Sequence, residues 1–266
     1  EAMARALRLL AHRHERVGLK RTRCASAMGN QVFARDEIAS RSDEELHQLV
    51  EEFLERTEWP SGEEVLAVAW ESTDLSPSTQ LWIPPAGTGA PVLEGIYEQI
   101  LEGPQKVFLG SRPSGLPGPV NEALARSALA VAAGLQALGY TGRCSFDHLV
   151  VGDPHGDFRV VFVECNGRWG GTSTPMSLID RLVPGPRPPY RAQDFVDESL
   201  VGVSFGEILN RLGDQVYRPE SGTGRYIFYN VGPLLESGKL DVIAFGETQA
   251  EAERALLEEL PKLLGL

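Results

Sequence analysis

Cysteine is scarce in this chain. The three that occur, Cys24, Cys144 and Cys165, have no C-x-x-C spacing, which excludes a thiolate zinc site or a disulfide framework. A reducing cytoplasm is the expected setting. Basic charge is short as well: 25 Lys and Arg stand against 37 Asp and Glu, a formal charge of -12. Nucleic acid, whose phosphates need the opposite sign, is therefore not expected as a partner. A small anionic substrate is untouched by that argument, because a cleft can be basic inside an acidic protein. No charged start leads into an apolar run, and the Ala-rich stretch from Ser127 to Leu138 is too short to cross a bilayer, so no membrane partner is expected.

Apolar residues, at 42% of 266, are enough for a substantial core in one large domain or two unequal lobes. The most informative segment is Phe158-Arg-Val-Val-Phe-Val-Glu-Cys-Asn-Gly-Arg-Trp-Gly-Gly171. In a strand, alternate side chains share a face, so Glu164 and Asn166 point one way and Val163 and Cys165 the other. Arg168 continues the Glu164 face if the chain stays extended, and Gly167, Gly170 and Gly171 let the backbone turn closely around a ligand. Upstream, Gly142 to Val151 reads as a second strand and Gly152-Asp-Pro-His-Gly156 as its turn, making a hairpin. With the turn centred near Pro154 and His155, Asp147 falls opposite about Phe162 and diagonal to Glu164. A divalent cation relieves the repulsion between the two carboxylates, giving Asp147, Glu164 and Asn166 as an oxygen ligand set suited to magnesium. An exposed hairpin with a polar face is the bland alternative; the Asn and Arg in phase with the carboxylates favour the metal.

An Asp on one strand and E-x-N on the next, followed by Arg, resembles the metal-binding core of the ATP-grasp enzymes. Leu66-Ala-Val-Ala-Trp-Glu71, Ser76-Pro-Ser-Thr-Gln-Leu-Trp-Ile83 and Tyr97-Glu-Gln-Ile-Leu-Glu-Gly103 look like the peptide-ligase branch of that superfamily, which includes the pheganomycin peptide ligase. The resemblance covers about Arg16 to Asp180. It implies an α+β ATP-grasp fold of two α+β lobes with the nucleotide bound between them. Residues 1–71 would form a small nucleotide-clamping lobe. Residues 72–266 would form a large catalytic lobe with the metal hairpin at 142–171 and a C-terminal extension. The ligases it resembles also carry an N-terminal pre-ATP-grasp domain and an earlier nucleotide-binding lysine that no residue here matches. That part is expected outside this sequence or on a partner chain. A homo-oligomer is left open.

Along the chain, Val17 to Lys20 reads as a strand, Arg21 to Asn30 as a loop and Gln31 to Arg35 as an antiparallel return. Ser26, Gly29 and Asn30 lie in a small-residue loop whose N–H groups can approach phosphates, which an ordinary hairpin tip also fits. Lys20 alone is an ordinary surface lysine; the order of elements in the resemblance makes it a phosphate contact. Ser42-Asp-Glu-Glu45 is a capping box opening a helix over Asp43 to Arg56. By the resemblance, the strand from Glu64 to Trp70 leads to an adenine-holding connector at Ala69, Trp70 and Glu71; a core role for Trp70 is the equal alternative. Ser78, Gln80 and Gln99 are polar among apolar neighbours, facing a substrate cleft or satisfied internally. Gly110 to Pro117 reads as a breaker-rich loop, with Arg112 either a substrate-carboxylate contact or an exposed arginine. Pro119 to Leu138 is a long Ala-rich helix. Another helix over Thr172 to Arg181 starts beside Gly170 and Gly171, which become candidate substrate contacts. Pro184 to Pro189 is a loop; Ser204 to Leu212 and Thr248 to Leu264 are helices, and Arg225 to Val231 and Leu240 to Phe245 strands.

The resemblance implies ATP with two Mg²⁺ ions as cofactors and a carboxylate and an amine as substrates. Arg168 would stabilise charge on the transferring group while an acyl phosphate forms and an amine then displaces phosphate. No side-chain nucleophile is required, in keeping with the lack of a Ser-His-Asp constellation among five histidines. The function so implied is ATP-dependent ligation making a peptide bond, in dipeptide or peptide natural-product synthesis. Other ATP-grasp chemistry, carboxylation or a non-peptide amide, would use the same hairpin. A non-catalytic ATP-binding module or a purely structural role remain the other classes.

Overall fold

A computed structural model describes residues 1–23, 29–102 and 107–266. The element order is α1 (Ala2–Ala11), β1 (Arg16–Arg21), β2 (Asn30–Ala34), α2 (Arg35–Ala39), α3 (Asp43–Arg56), β3 (Val65–Ala69), β4 (Pro77–Ile83), β5 (Val92–Glu102), β6 (Val107–Pro113) and α4 (Gly118–Ala137). It continues with β7 (Gly142–Gly152), β8 (Phe158–Asn166), α5 (Ser173–Leu182), β9 (Tyr190–Val196), α6 (Phe205–Leu212), β10 (Tyr226–Tyr229), α7 (Leu234–Ser237), β11 (Lys239–Phe245), α8 (Gln249–Arg254) and α9 (Leu260–Leu264). Two compact units result, one of Glu1–Asp74 with Glu102–Phe108, the other of Leu75–Leu101 with Leu109–Leu266. No helix among the described residues is long and apolar enough to cross a membrane.

The first unit is an antiparallel sheet of order β2-β1-β3 backed by helices. Ser42 caps α3, its Oγ accepting from the Glu45 N–H at 3.2 Å while the Glu45 carboxylate accepts the Ser42 N–H at 2.7 Å. The i, i+3, i+4, i+7 spacing then buries Leu46, Leu49, Val50 and Phe53 against Leu7, Val17, Leu19 and Phe33. Each such side chain contributes about 1.5–3 kcal/mol on full burial. Arg21, at the end of β1, pairs with Glu63 at 2.6 Å and donates to the Thr57 carbonyl, tying the strand to the end of α3.

The second unit holds, among the described residues, a sheet of order β10-β11-β9-β6-β5-β4-β7-β8. Its two faces bury different clusters. Leu81, Ile83, Cys144 and Phe146 meet Ala128 and Ala132 of α4, and Val150 meets Val120 and Leu124. On the opposite face Tyr97, Tyr190, Ala192 and Ile243 meet Met176 and Ile179 of α5. Farther along, Leu240, Val242 and Ala244 alternate with Asp241 and Ile243 and pack on α6 and the C-terminal helices, as the strand period of two requires.

Outside the hairpin, three departures from the sequence expectation bear on how the main sheet and the C-terminal region are built. Gly110 to Pro113 is not loop but the second half of β6: Gly110 lies so close to Ala192 and Gln193 that no Cβ fits there. The C-terminal region is not an appendage, since β9, which periodicity missed, pairs with β6 and β11 and brings the tail into the main sheet. The last helix is broken by a π turn at Ala255–Glu259, just before Pro261, whose missing N–H cannot serve the carbonyl four residues back.

Candidate active site

The β7–β8 hairpin is antiparallel, with Ser145 opposite Asn166, Phe146 opposite Cys165, Asp147 opposite Glu164 and His148 opposite Phe162. Val163 is the extra residue of a β-bulge. Cys144, Phe146, His148 and Val150 face α4; Asp147 and Ser145 face the other way, with Glu164 and Asn166 alongside them. The expected register put Asp147 opposite Phe162; the strands instead pair one residue further along, with Gly152 opposite Phe158, and the bulge adds one more, setting the two carboxylates face to face. The Asn166 Nδ2 donates to Asp147 Oδ2 at 3.1 Å. Beneath them His148 is fully buried, its Nδ1 3.1 Å from the Phe146 carbonyl. Burial holds its pKa below the ordinary 6.5, so no imidazolium sits behind the carboxylates at neutral pH.

Arg168 does not continue an extended strand. The chain turns after Asn166, with the Arg168 N–H donating to the Asn166 carbonyl at 2.8 Å, and the guanidinium folds back so that Nη2 donates to Asn166 Oδ1 at 3.3 Å. Asp147, Glu164, Asn166 and Arg168 are thus gathered at one end of the hairpin. No group of three or more His, Cys, Asp or Glu able to hold a metal exists among the described residues. The donors here are instead two carboxylates and one amide, all-oxygen chemistry with few charges, which fits Mg²⁺ beside phosphates and not a softer ion.

The adjoining strand extends this polar face. Ser78 lies opposite Asp147 and Gln80 opposite Ser145; both are buried, at 3% and 1% exposure. The Gln80 Oε1 accepts from Ser173 Oγ at 2.8 Å, its Nε2 lies 3.4 Å from Ser78 Oγ, and Ser173 Oγ accepts the Gly170 N–H at 3.1 Å. Gln80 therefore secures the Gly170 end of the loop after β8, and Gly171 beside it is exposed. Gln99 donates weakly to Ser76 Oγ at 3.5 Å. Arg112 is not a loop arginine: it lies in β6 and is matched by Glu98 at 3.0 Å and by Glu253, which already neutralise the charge that was to meet a substrate carboxylate. Ser145 and Ser173 were missed from the sequence; Ser145 was legible as the residue two before Asp147 in the same strand.

In the first unit, Lys20 is half-buried in β1, opposite Asn30 on one side and Leu66 on the other. The Gly29 carbonyl accepts the Arg21 N–H at 2.9 Å. The Trp70 ring covers Gly18, where an added Cβ would stand 3.1 Å from Trp70 Cε3. Ala69 ends β3, opposite Val17, and Glu71 follows half-buried. Ser26 lies outside the described residues.

No protein-family model matches this chain, and no curated protein matches it. Solved structures do. Carboxyaminoimidazole ribonucleotide synthase from Aspergillus clavatus, complexed with ATP, superposes with a TM-score of 0.57 at 12% identity over 94% of this chain and 62% of that one. The N5-carboxyaminoimidazole synthase of the same organism, with ADP and its aminoimidazole ribonucleotide, gives 0.59 at 12% over 100% and 66%. The biotin carboxylase domain of the Hydrogenobacter thermophilus 2-oxoglutarate carboxylase, with MgADP, ADP and bicarbonate, gives 0.60 at 14% over 97% and 62%. The likeness is one of fold, and the fold is the α+β ATP-grasp fold that the hairpin residues suggested. The chain spans less than two thirds of the length of each of these three structures, 62%, 66% and 62%.

Proposed function

We propose that this chain carries the catalytic machinery of an ATP-dependent carboxylate–amine ligase that makes a peptide bond through an acyl phosphate. The observation that carries the reading is the convergence of Asp147, Glu164, Asn166 and Arg168 at one end of the β7–β8 hairpin, on a fold shared with proteins solved with ATP or ADP. Mg²⁺ held by Asp147, Glu164 and the Asn166 carbonyl would supply charge neutralisation at the phosphates. Arg168, exposed and held by hydrogen bonds to Asn166 Oδ1 and the Trp169 carbonyl, would offer its guanidinium to the transferring phosphoryl group and the tetrahedral centre formed on amine attack. Lys20, Asn30 and the backbone of Ala69 to Glu71 are the nucleotide contacts that this reading assigns to the first unit. The peptide specificity rests on the stretches Leu66–Glu71, Ser76–Ile83 and Tyr97–Gly103. The test is ADP release that requires both Mg²⁺ and an amino-acid or peptide amine. Glu164→Ala should lower it by roughly 100-fold or more; unchanged turnover would remove the site from the reaction.

A further inference from the structure

The loop that follows the metal hairpin is held by a set of side chains that the reaction itself does not use. Glu94 is the unpartnered residue of a bulge in β5, where Gln80 pairs with Gly95 but Leu81 pairs with Leu93. The bulge turns its carboxylate toward Arg143 of β7, reaching past β4. Both guanidinium nitrogens bond it, Nη2 to Oε1 at 3.0 Å and Nη1 to Oε2, with the two side chains only 16% and 25% exposed. The same guanidinium lies 4.9 Å from the ring centroid of Trp169, a stacking that needs a planar cation. The indole is 51% exposed, and its Nε1 donates to Thr174 Oγ1 at 2.7 Å.

Two more contacts fix the same elements. Tyr140 donates to the Arg143 carbonyl at 2.7 Å, and its ring lies where a Cβ on Gly167 would come within 3.3 Å. Arg187 donates to the Glu94 carbonyl at 3.2 Å and to Tyr97 Oη at 2.7 Å, while gripping Asp180 of α5 at 2.7 and 2.8 Å. Gly95 leaves the room Arg187 occupies, since a Cβ there would stand 3.0 Å from its Nη1.

We propose that Glu94, Arg143 and Trp169 form a clamp that positions the loop from Gly167 to Thr172, and with it Arg168, over the end of the hairpin. The proposal rests on the ligase reading of the site for its catalytic consequence, but not for the clamp itself. An exposed tryptophan set against a half-buried, carboxylate-matched arginine ties this glycine-rich loop to strand β7 between Gly167 and Gly170. Arg168, one residue before Trp169, inherits that placement. Arg143, Glu94 and Trp169 are positioning residues; none needs to touch substrate.

The experiment pairs two readouts on the whole chain. The first is the indole N–H resonance of Trp169, assigned by its loss in Trp169→Phe. Arg143→Met should shift and broaden that resonance and leave those of Trp59 and Trp70 in the first unit in place, while Trp82, directly opposite Arg143 across the β4–β7 ladder, responds as a neighbour in its own right. If the resonance is unchanged, the clamp does not exist, whatever happens to turnover. The second readout is kinetic: Arg143→Met and Trp169→Ala should lower kcat by about 100-fold, the cost of an ångström-scale misplacement, with MgADP binding retained. Trp169→Phe, which still offers a face to the guanidinium, should recover most of the rate. Equal rates in Arg143→Met and wild type would overturn the positioning role. Should the wild type show no amine-dependent ADP release while the indole resonance still responds to Arg143→Met, the ligase reading fails and the clamp stands.

Discussion

Asp147 and Glu164 stand directly opposite each other across the β7–β8 ladder, a register that exists because Val163 is inserted without a partner of its own between Glu164 and Phe162. Like charges so placed repel, and under the proposed function a cation held by the pair would turn that cost into binding free energy. Saturating MgADP at about 100 times its Kd should stabilise the folded chain by about 2.7 kcal/mol, a rise of roughly 5–10 °C in Tm for a chain of this size. Glu164→Gln should keep the fold and lose most of that rise in a thermal melt. A full MgADP shift in the variant would mean that the carboxylate pair is not the metal's seat.

How much of this was legible in the residues follows from what each feature depends on. The α3 helix was readable to its ends because its signals are local, a capping box and an i, i+3, i+4 stripe. The hairpin was readable because Gly152 to Gly156 is turn chemistry between two alternating runs. The bulge was not, since Val163 has the strand propensity of its neighbours and nothing in Val-Phe-Val-Glu says which residue goes unpaired. Counting strictly from Phe158, alternation places Glu164 and Asn166 on the face of Phe158, Val160 and Phe162; only the inserted residue turns them to the side of Asp147. Strand β9 was missed because Arg191, Gln193 and Asp194 interrupt its apolar residues on both faces. The Glu94–Arg143 pair joins residues 49 apart, a separation no spacing rule reaches.

Within the first unit, Phe53 has no exposure while Leu9 on α1 is 61% exposed. Phe53→Ala should therefore cost about 3–5 kcal/mol through lost burial and the cavity it leaves. Leu9→Ala should change stability by less than about 0.5 kcal/mol. Urea melts followed by the fluorescence of Trp59 and Trp70 separate the two. Similar losses in both would mean that the core described around α3 is not the one that holds this unit together.

Arg21 and Glu63 should govern the acid limb of stability in the same unit. The hydrogen bond from Arg21 holds the Glu63 carboxyl below its ordinary 4.5. A carboxyl lowered on folding adds stability above its unfolded pKa, and that contribution is lost as pH falls through the folded value. Glu63→Gln should lower Tm at neutral pH and flatten its fall below about 4.5, the ordinary carboxylate range. Parallel Tm profiles for variant and wild type across that range would exclude the pair as the cause.

The opposite sign is expected at Asp241. This side chain is 7% exposed on β11 and sits directly opposite Asp194 of β9 and Tyr229 of β10. Asn230 donates to its Oδ2 at 3.0 Å, and Lys239 lies 2.6 Å from Asp194 but 3.7 Å from Asp241 Oδ1. Burial first, and the neighbouring Asp194 charge after it, push the Asp241 carboxyl above its ordinary 3.8 despite the help of Asn230 and Lys239. A carboxyl raised on folding binds its proton more tightly in the folded state, so the stability it contributes is present below the unfolded pKa and is lost as pH rises through the folded value. Asp241→Asn keeps the shape, keeps an oxygen for Asn230 and removes the charge facing Asp194. The variant should unfold at higher urea than wild type at neutral pH, and its advantage should shrink as pH is lowered toward 3.8. A lower midpoint for the variant at neutral pH would show instead that the Lys239 pairing outweighs both the burial of the carboxylate and its repulsion from Asp194.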